Sequence, residues 1–135
     1  MIVVDVNVVI YLLTDTPQRS LAVRLYEQGK EWRLPPLWRH ELINVLGTLT
    51  RNEVLDLEAA VQLWRNALDL FAAGEQQPDM EQALALAVDR GISVYDAQYV
   101  TLAVALDTRL VSEDKKLRRR FPERVVSMSQ LVGSD

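Results

Sequence analysis

The chain has 135 residues, 19 acids against 15 lysines and arginines, a formal net charge of −4 and no cysteine. That length fits one domain, and the missing cysteines exclude disulfides and thiolate metal sites. The acidic balance argues against a bulk electrostatic nucleic-acid binder, although a site that holds divalent cations must itself be acidic. With 49% hydrophobic and 25% charged residues, the composition is that of a folded domain. The longest apolar run, Val8–Leu13, is far shorter than the roughly 20 residues that span a bilayer. The N-terminus lacks the basic segment and long apolar stretch of a signal peptide. The expected setting is therefore a reducing cytoplasm, with no membrane partner.

In chain order, Ile2-Val3-Val4 is a β-branched run that reads as a buried strand ending at Asp5. Val8–Leu13 continues with helical or mixed character. Pro17 is placed to open a helix over 18–28, closed by Gly29. Trp32–Leu34 reads as a short strand stopped by Pro35-Pro36. From Leu37 to about Arg51, Leu42, Val45, Leu46 and Leu49 recur at helical spacing. Asp56 is an N-cap candidate for a longer helix ending near Gly74, with Ala60, Leu63, Trp64, Ala67, Leu68 and Phe71 facing inward. A loop over Gly74–Pro78 precedes a helix capped by Asp79 and ended by Gly91. Ile92-Ser93-Val94 is a strand candidate, Asp96–Leu106 a nearly all-apolar buried helix, Leu110-Val111 a strand, Glu113–Arg120 a short helix and Val125-Val126 a last strand. Short apolar strands alternating with helices imply the α/β class, with a parallel sheet covered on both faces.

In such sheets ligands bind beyond the carboxyl ends of the strands. Asp5 and Asp114 fall just past apolar runs, and Asp96 two residues past the strand candidate at 92–94. Glu41 lies inside a helix beside Leu42 and Ile43. Each acid has an ordinary reading as a turn, cap or surface residue. Together they imply four carboxylates near one another, a self-repelling group that binds cations or shifts its pKa values. Oxygen-only ligands select hard metals such as Mg²⁺ or Mn²⁺, and metals so held can activate water against a phosphodiester. Asn7, Asn44 and Ser112 are candidate supporting polar residues.

The same residues carry a family resemblance. Val3-Val4-Asp5-Val6-Asn7 resembles the opening Asp-x-Asn/Ser motif of PIN domains, and His40-Glu41-Leu42-Ile43-Asn44 their helical Glu motif. Val94-Tyr95-Asp96-Ala97-Gln98-Tyr99 with Leu102-Ala103 is similar to the Tyr-Asp-Ala-x-Tyr-x-x-Leu-Ala signature. Ser112-Glu113-Asp114-Lys115-Lys116-Leu117 is similar to the Thr/Ser-x-Asp-x-x-Leu segment. The match runs from residue 2 to about 130, and small single-domain members of this kind are VapC-type toxins of toxin–antitoxin pairs. The resemblance implies a three-layer α/β/α fold with a parallel sheet of four to five strands, one domain over 1–132 and a tail at 133–135. It also implies an Mg²⁺- or Mn²⁺-dependent endoribonuclease, a homodimer and an antitoxin partner. Asp5, Glu41, Asp96 and Asp114 would be the catalytic and metal-binding residues, with Glu113 a substitute for Asp114.

Beside Asp114 runs a basic stretch, Lys115, Lys116, Arg118, Arg119 and Arg120. Lys115, Lys116 and Arg118 from it, with Arg39 beside Glu41, are candidates for RNA phosphate contact. His40, the sole histidine, reads as structural, and Trp32, Trp38 and Trp64 as packing residues rather than base-stacking platforms. The apolar faces of 17–28 and 57–71 are candidates for dimer or antitoxin contact. Two rival functions stand beside the ribonuclease. An aspartyl-nucleophile phosphatase would want an acid where Asn7 stands, and a receiver-like module would want a lone lysine after the last strand and leave Glu41 idle inside its helix. A non-catalytic PIN-fold binding protein would be expected to have lost at least one of the four acids.

Overall fold

The β-branched run at the start of the chain forms one of the two inner strands of the sheet. β1 (Ile2–Val4) lies between β2 (Trp32–Arg33) and β3 (Leu110–Val111), and β4 (Val125–Val126) completes a four-stranded sheet in the order β2-β1-β3-β4. All pairings are parallel, with Ile2 opposite Trp32, Val3 opposite Leu110 and Leu110 opposite Val125. This computed structural model describes residues 1–133. Because every strand runs the same way, the residues after each strand emerge at one edge, and both faces must be covered by helices.

The helices among the described residues are α1 (Val6–Leu13), α2 (Arg19–Glu27), α3 (Leu37–Arg51), α4 (Leu57–Phe71), α5 (Met80–Arg90), α6 (Val94–Ala105), α7 (Lys115–Arg120) and α8 (Met128–Val132). α6 packs on β1 and β3 with α5 stacked against it, while α1 packs with α2, α3 and α4. The result is the expected three-layer α/β/α arrangement. Seven consecutive α6 residues, Ala97–Ala103, are buried, so this helix is enclosed on all sides. Truncating Leu102, 1% exposed, should cost about 2–5 kcal/mol. One hydrophobic core joins residues from Ile2 to Met128. Of the expected tail at 133–135, positions 134 and 135 lie outside the described residues.

Capping chemistry decides most helix starts. Asp56 accepts the Ala59 N–H at 2.7 Å and Asp79 that of Gln82 at 3.1 Å, as the sequence predicts. The same chemistry overturns one expectation. Ile92–Val94 is not a strand: Gly91 ends α5 at φ +65°, and Ser93 caps α6, its Oγ accepting the Asp96 N–H at 3.0 Å. An N-cap serine outweighs the β preference of the two flanking branched residues, so the sheet has four strands and α6 begins two residues early.

Smaller differences have similar causes. Pro17 lies in the turn before α2 rather than inside it. The strand expected over Trp32–Leu34 stops at Arg33, because Leu34 pairs instead with the segment after α4. Its N–H donates to Gly74 O at 3.2 Å, and its carbonyl accepts from Gln76 N at 2.9 Å. Gly74 is required there, since a Cβ would strike the Trp32 carbonyl. α7 starts at Lys115 because Asp114 is its cap. α8 was not foreseen, although Ser127 and Gln130 form a capping box whose Ser-x-x-Gln pattern is legible in the sequence. Trp32 and Trp38 are buried, as expected of packing residues. Trp32 stacks on Phe71 at 5.2 Å, and Trp38 Nε1 donates to Glu75 Oε1 at 2.7 Å.

Candidate active site

Two acids reach the carboxyl edge of the sheet directly from strands. Asp5 follows β1, and its N–H still donates to the Val111 carbonyl of β3 at 3.1 Å. Its side chain then caps α1, Oδ1 accepting the Val8 N–H at 3.2 Å. Asp114 lies three residues past the end of β3 and caps α7, accepting the N–H groups of Lys116 at 2.9 Å and Leu117 at 3.2 Å. Fully buried Ser112 joins the two. Its hydroxyl accepts the Asp114 N–H at 3.1 Å and hydrogen-bonds the Asp5 carboxylate.

The other two acids arrive on helices. Asp96 is the third residue of α6, fixed by the Ser93 cap rather than by a strand end. Glu41 sits in the second turn of α3 and is drawn inward by Tyr99, whose buried phenol donates to Glu41 Oε1 at 2.6 Å. Tyr99 lies three residues after Asp96 on α6, hence on the same helix face. That phenol is the residue sequence reasoning missed as a site residue. Its place in the signature was visible, but its partner on another helix was not.

Asp5, Asn7, Glu41, Asp96, Tyr99, Ser112 and Asp114 line one cleft of about 80 Å³. A larger hollow of about 450 Å³, beside Trp32 and Phe71, carries no such group of acids. Composition rather than size therefore makes the smaller cleft the candidate site. Burial pushes the Asp5 carboxyl up to about 6. The Ser112 and Val8 hydrogen bonds oppose that rise, and the charge of Glu41 adds to it. Burial also raises Glu41, opposed by the Tyr99 phenol and reinforced by Asp96. Asp96 is raised by burial and then by Asp114, against the Ser93 hydrogen bond. The Tyr99 phenol is held protonated above its usual range by burial and by Glu41. The acids thus sense one another in sequence, Glu41 on Asp5, Asp96 on Glu41 and Asp114 on Asp96.

Several sequence candidates lie outside this cleft. Asn44 is exposed on α3. Arg39 pairs through Nε with Glu75. Arg118 donates to the Ser112 carbonyl at 2.9 Å and pairs with Glu113 at 3.5 Å. Glu113 also accepts the Met128 N–H at 3.0 Å at the start of α8, so it braces the chain behind the cleft while Asp114 faces it. His40 is exposed, and Lys116 lines a neighbouring cleft.

The donor set suits a hard divalent cation: every candidate ligand is an oxygen, and the charges are mutually unfavourable without one. Among the described residues, no three acidic or histidine side chains meet in a preassembled metal-holding group. The four carboxylates share a cleft and a field rather than a closed cage.

Residues 2–120 match the family profile described as PIN domain. The chain belongs to the PIN-domain family. It is 29% identical over 127 residues to Ribonuclease VapC3 of Pyrobaculum aerophilum, covering 92% of this chain and 97% of that protein. In fold it is similar to PAE2754 from Pyrobaculum aerophilum, at a TM-score of 0.77 and 21% identity, covering 97% of this chain and 85% of that one. FitAcB from Neisseria gonorrhoeae aligns at a TM-score of 0.69 and 19% identity, covering 95% and 98%. VapBC-1 from nontypeable Haemophilus influenzae aligns at 0.63 and 18%, covering 96% and 99%. These structural likenesses extend the shared PIN fold across nearly the whole chain.

Proposed function

We propose that this PIN-domain chain is a metal-dependent endoribonuclease, the toxin of a toxin–antitoxin pair, working through Asp5, Glu41, Asp96 and Asp114. The observation that carries the reading is the convergence of those four acids on one cleft from four separate elements. It is supported by the likeness to a named ribonuclease over 92% of the chain.

In this reading the four carboxylates hold Mg²⁺ or Mn²⁺, which when bound would activate a water and offset the charge developing on a cleaved phosphodiester. The chain's own residues prepare that site. Ser112 fixes Asp5 relative to Asp114, so the two strand-end acids keep a set separation. Tyr99 holds Glu41 over the cleft and favours its ionised form. Ser93 orients Asp96. Asn7, exposed at the cleft wall, is placed to orient a water or a phosphate oxygen. An aspartyl-nucleophile phosphatase is less well supported, because Asn7 offers no acid–base partner and Glu41 would be idle. A non-catalytic binding protein would have no use for four acids in one cleft, three of them raised by burial and by a neighbouring acid.

The proposed partners are RNA, an antitoxin and a second copy of the chain, in a cytoplasmic setting. No helix among the described residues is long and apolar enough to cross a membrane. Leu57, Val61 and Leu70 of α4 are exposed apolar side chains of the kind a protein partner covers. The ribonuclease reading is tested by incubating the purified, partner-free chain with RNA and Mg²⁺ or Mn²⁺. Cleavage that EDTA stops is the expected result. Undiminished cleavage in EDTA would sink the metal reading, and no cleavage with any divalent metal would sink the enzyme.

A further inference from the structure

α7 carries five cations in its six residues, Lys115–Arg120, and helical spacing sorts them. Leu117 is buried and turns one face to the core. Arg118 is drawn away from the clefts by the Ser112 carbonyl and Glu113, which hold its guanidinium. Lys116 and Arg120, four residues apart, share another face. Both line a cleft of about 320 Å³ whose opposite wall is the turn Gly91-Ile92-Ser93. Lys115 and Arg119 are exposed and line neither cleft.

This second cleft shares Asp96, Asp114 and Leu117 with the carboxylate cleft, so one opens into the other. Arg120 is fixed at its rim. It donates to the Arg90 carbonyl, Arg90 donates to the Arg120 carbonyl, and the Arg90 guanidinium lies 4.3 Å over the Phe121 ring. The Lys116 ammonium has no partner among the described residues. Two cationic positions, one anchored and one free to swing, therefore flank a strongly acidic site in a chain of net charge −4, where long-range attraction to nucleic acid is weak.

We propose that this cleft is a track for unpaired RNA next to the scissile phosphate, with Lys116 and Arg120 each contacting a phosphate. The inference rests on the ribonuclease reading and names its substrate contacts. Four carboxylates repel the phosphates that flank the reacting one. A polymer substrate needs cations just beyond them. The Gly91–Ser93 wall makes the track concave and far smaller than a paired helix, so the strand that enters is single. Arg118 and Arg39, engaged elsewhere, are not part of it.

The experiment pairs two double variants of the full chain, Lys116→Ala/Arg120→Gln on the cleft face and Lys115→Ala/Arg119→Ala on the outer face. Gln at 120 keeps a donor for the Arg90 carbonyl, and thermal unfolding checks that both variants fold. Steady-state cleavage of a single-stranded oligoribonucleotide is measured, together with its binding in EDTA across a salt series. The cleft-face variant should raise KM at least about tenfold with kcat near that of the parent. Its log affinity against log salt should be shallower by about 1.4, at about 0.7 per lost phosphate contact. The outer-face variant should change KM less than about twofold. A Lys116→Arg/Arg120→Lys variant should restore most of the binding. Equal effects of the two faces, or no effect of either, would overturn the track while leaving the ribonuclease reading intact. A parent that does not cleave but loses binding only through the cleft face would support the track and sink the enzyme. A parent that neither binds nor cleaves overturns both.

Discussion

The four acids fall into two pairs that are held differently. Asp5 and Asp114 sit at the ends of β1 and β3, each capping the helix that follows, with Ser112 between them. Glu41 and Asp96 stand on α3 and α6, positioned by side-chain hydroxyls, Tyr99 for one and Ser93 for the other. The strand-end pair is built into the sheet, and displacing it means displacing the backbone. In the helix-borne pair, Glu41 depends on one side-chain hydrogen bond that a point substitution removes, and Asp96 on the serine that caps its helix. A site assembled this way has a rigid half and an adjustable half.

The largest expected effect is on the rigid half. Asp5→Asn should lower cleavage by about 10³-fold or more while raising the thermal stability of the metal-free protein at neutral pH. The two changes have one cause. Asp5 is pushed up to about 6 in the fold, against about 3.9 in an unfolded chain. The native state therefore binds more protons than the unfolded state between these values, and stability falls as pH rises through them. Asn retains an N-cap oxygen without the charge. The matching pH prediction for the parent is a metal-free loss of roughly 1–1.5 kcal/mol between pH 5 and 7.5 from Asp5 alone. That is about 5 °C in Tm, with Glu41 and Asp96 adding in the same direction. Mg²⁺ or Mn²⁺ at pH 7.5 should reverse it. A melting temperature that rises over this range would contradict the placement of Asp5.

On the adjustable half, Tyr99→Phe should reduce cleavage by about tenfold, the weight of one hydrogen bond to a charged acceptor. The phenol favours ionised Glu41, so its loss raises the Glu41 pKa further and moves the acidic limb of the pH–rate profile to higher pH. An unchanged profile with slower turnover would mean that Tyr99 serves packing alone. The smallest effects belong behind the cleft. Glu113→Gln and Arg118→Ala should leave kcat within about twofold and cost about 1 kcal/mol or less each in denaturant unfolding. A Glu113 variant as inactive as Asp5→Asn would reassign the fourth acid.

The same division explains what the sequence made legible. Asp5 and Asp114 could be read from β-branched runs that end in acids, because in a parallel sheet the chain direction alone fixes where strand ends emerge. Asp96 was placed at the correct edge for a wrong reason. Ile92-Ser93-Val94 looks like a strand by composition, whereas a serine cap and the glycine before it make it a helix start. Glu41 rested on the motif, since nothing local reveals that a phenol 58 residues later holds it. The sorting of the basic run was also hidden, because spacing separates the faces of a helix but does not say which one meets the Gly91 turn. α8 was missed although its capping box is written in residues 127–130, five helical residues being too few to show a period.

The central claim is that two strand-end and two helix-borne carboxylates form a single metal-dependent site. The direct measurement is RNA cleavage by Asp5→Asn, Asp114→Asn, Glu41→Gln and Asp96→Asn side by side in the same Mn²⁺ buffer, with folding checked for each. All four should fall by at least about two orders of magnitude, and EDTA should silence the parent. If Glu41→Gln and Asp96→Asn cleave at the parental rate while the strand-end variants are dead, the helix-borne pair is not part of the site.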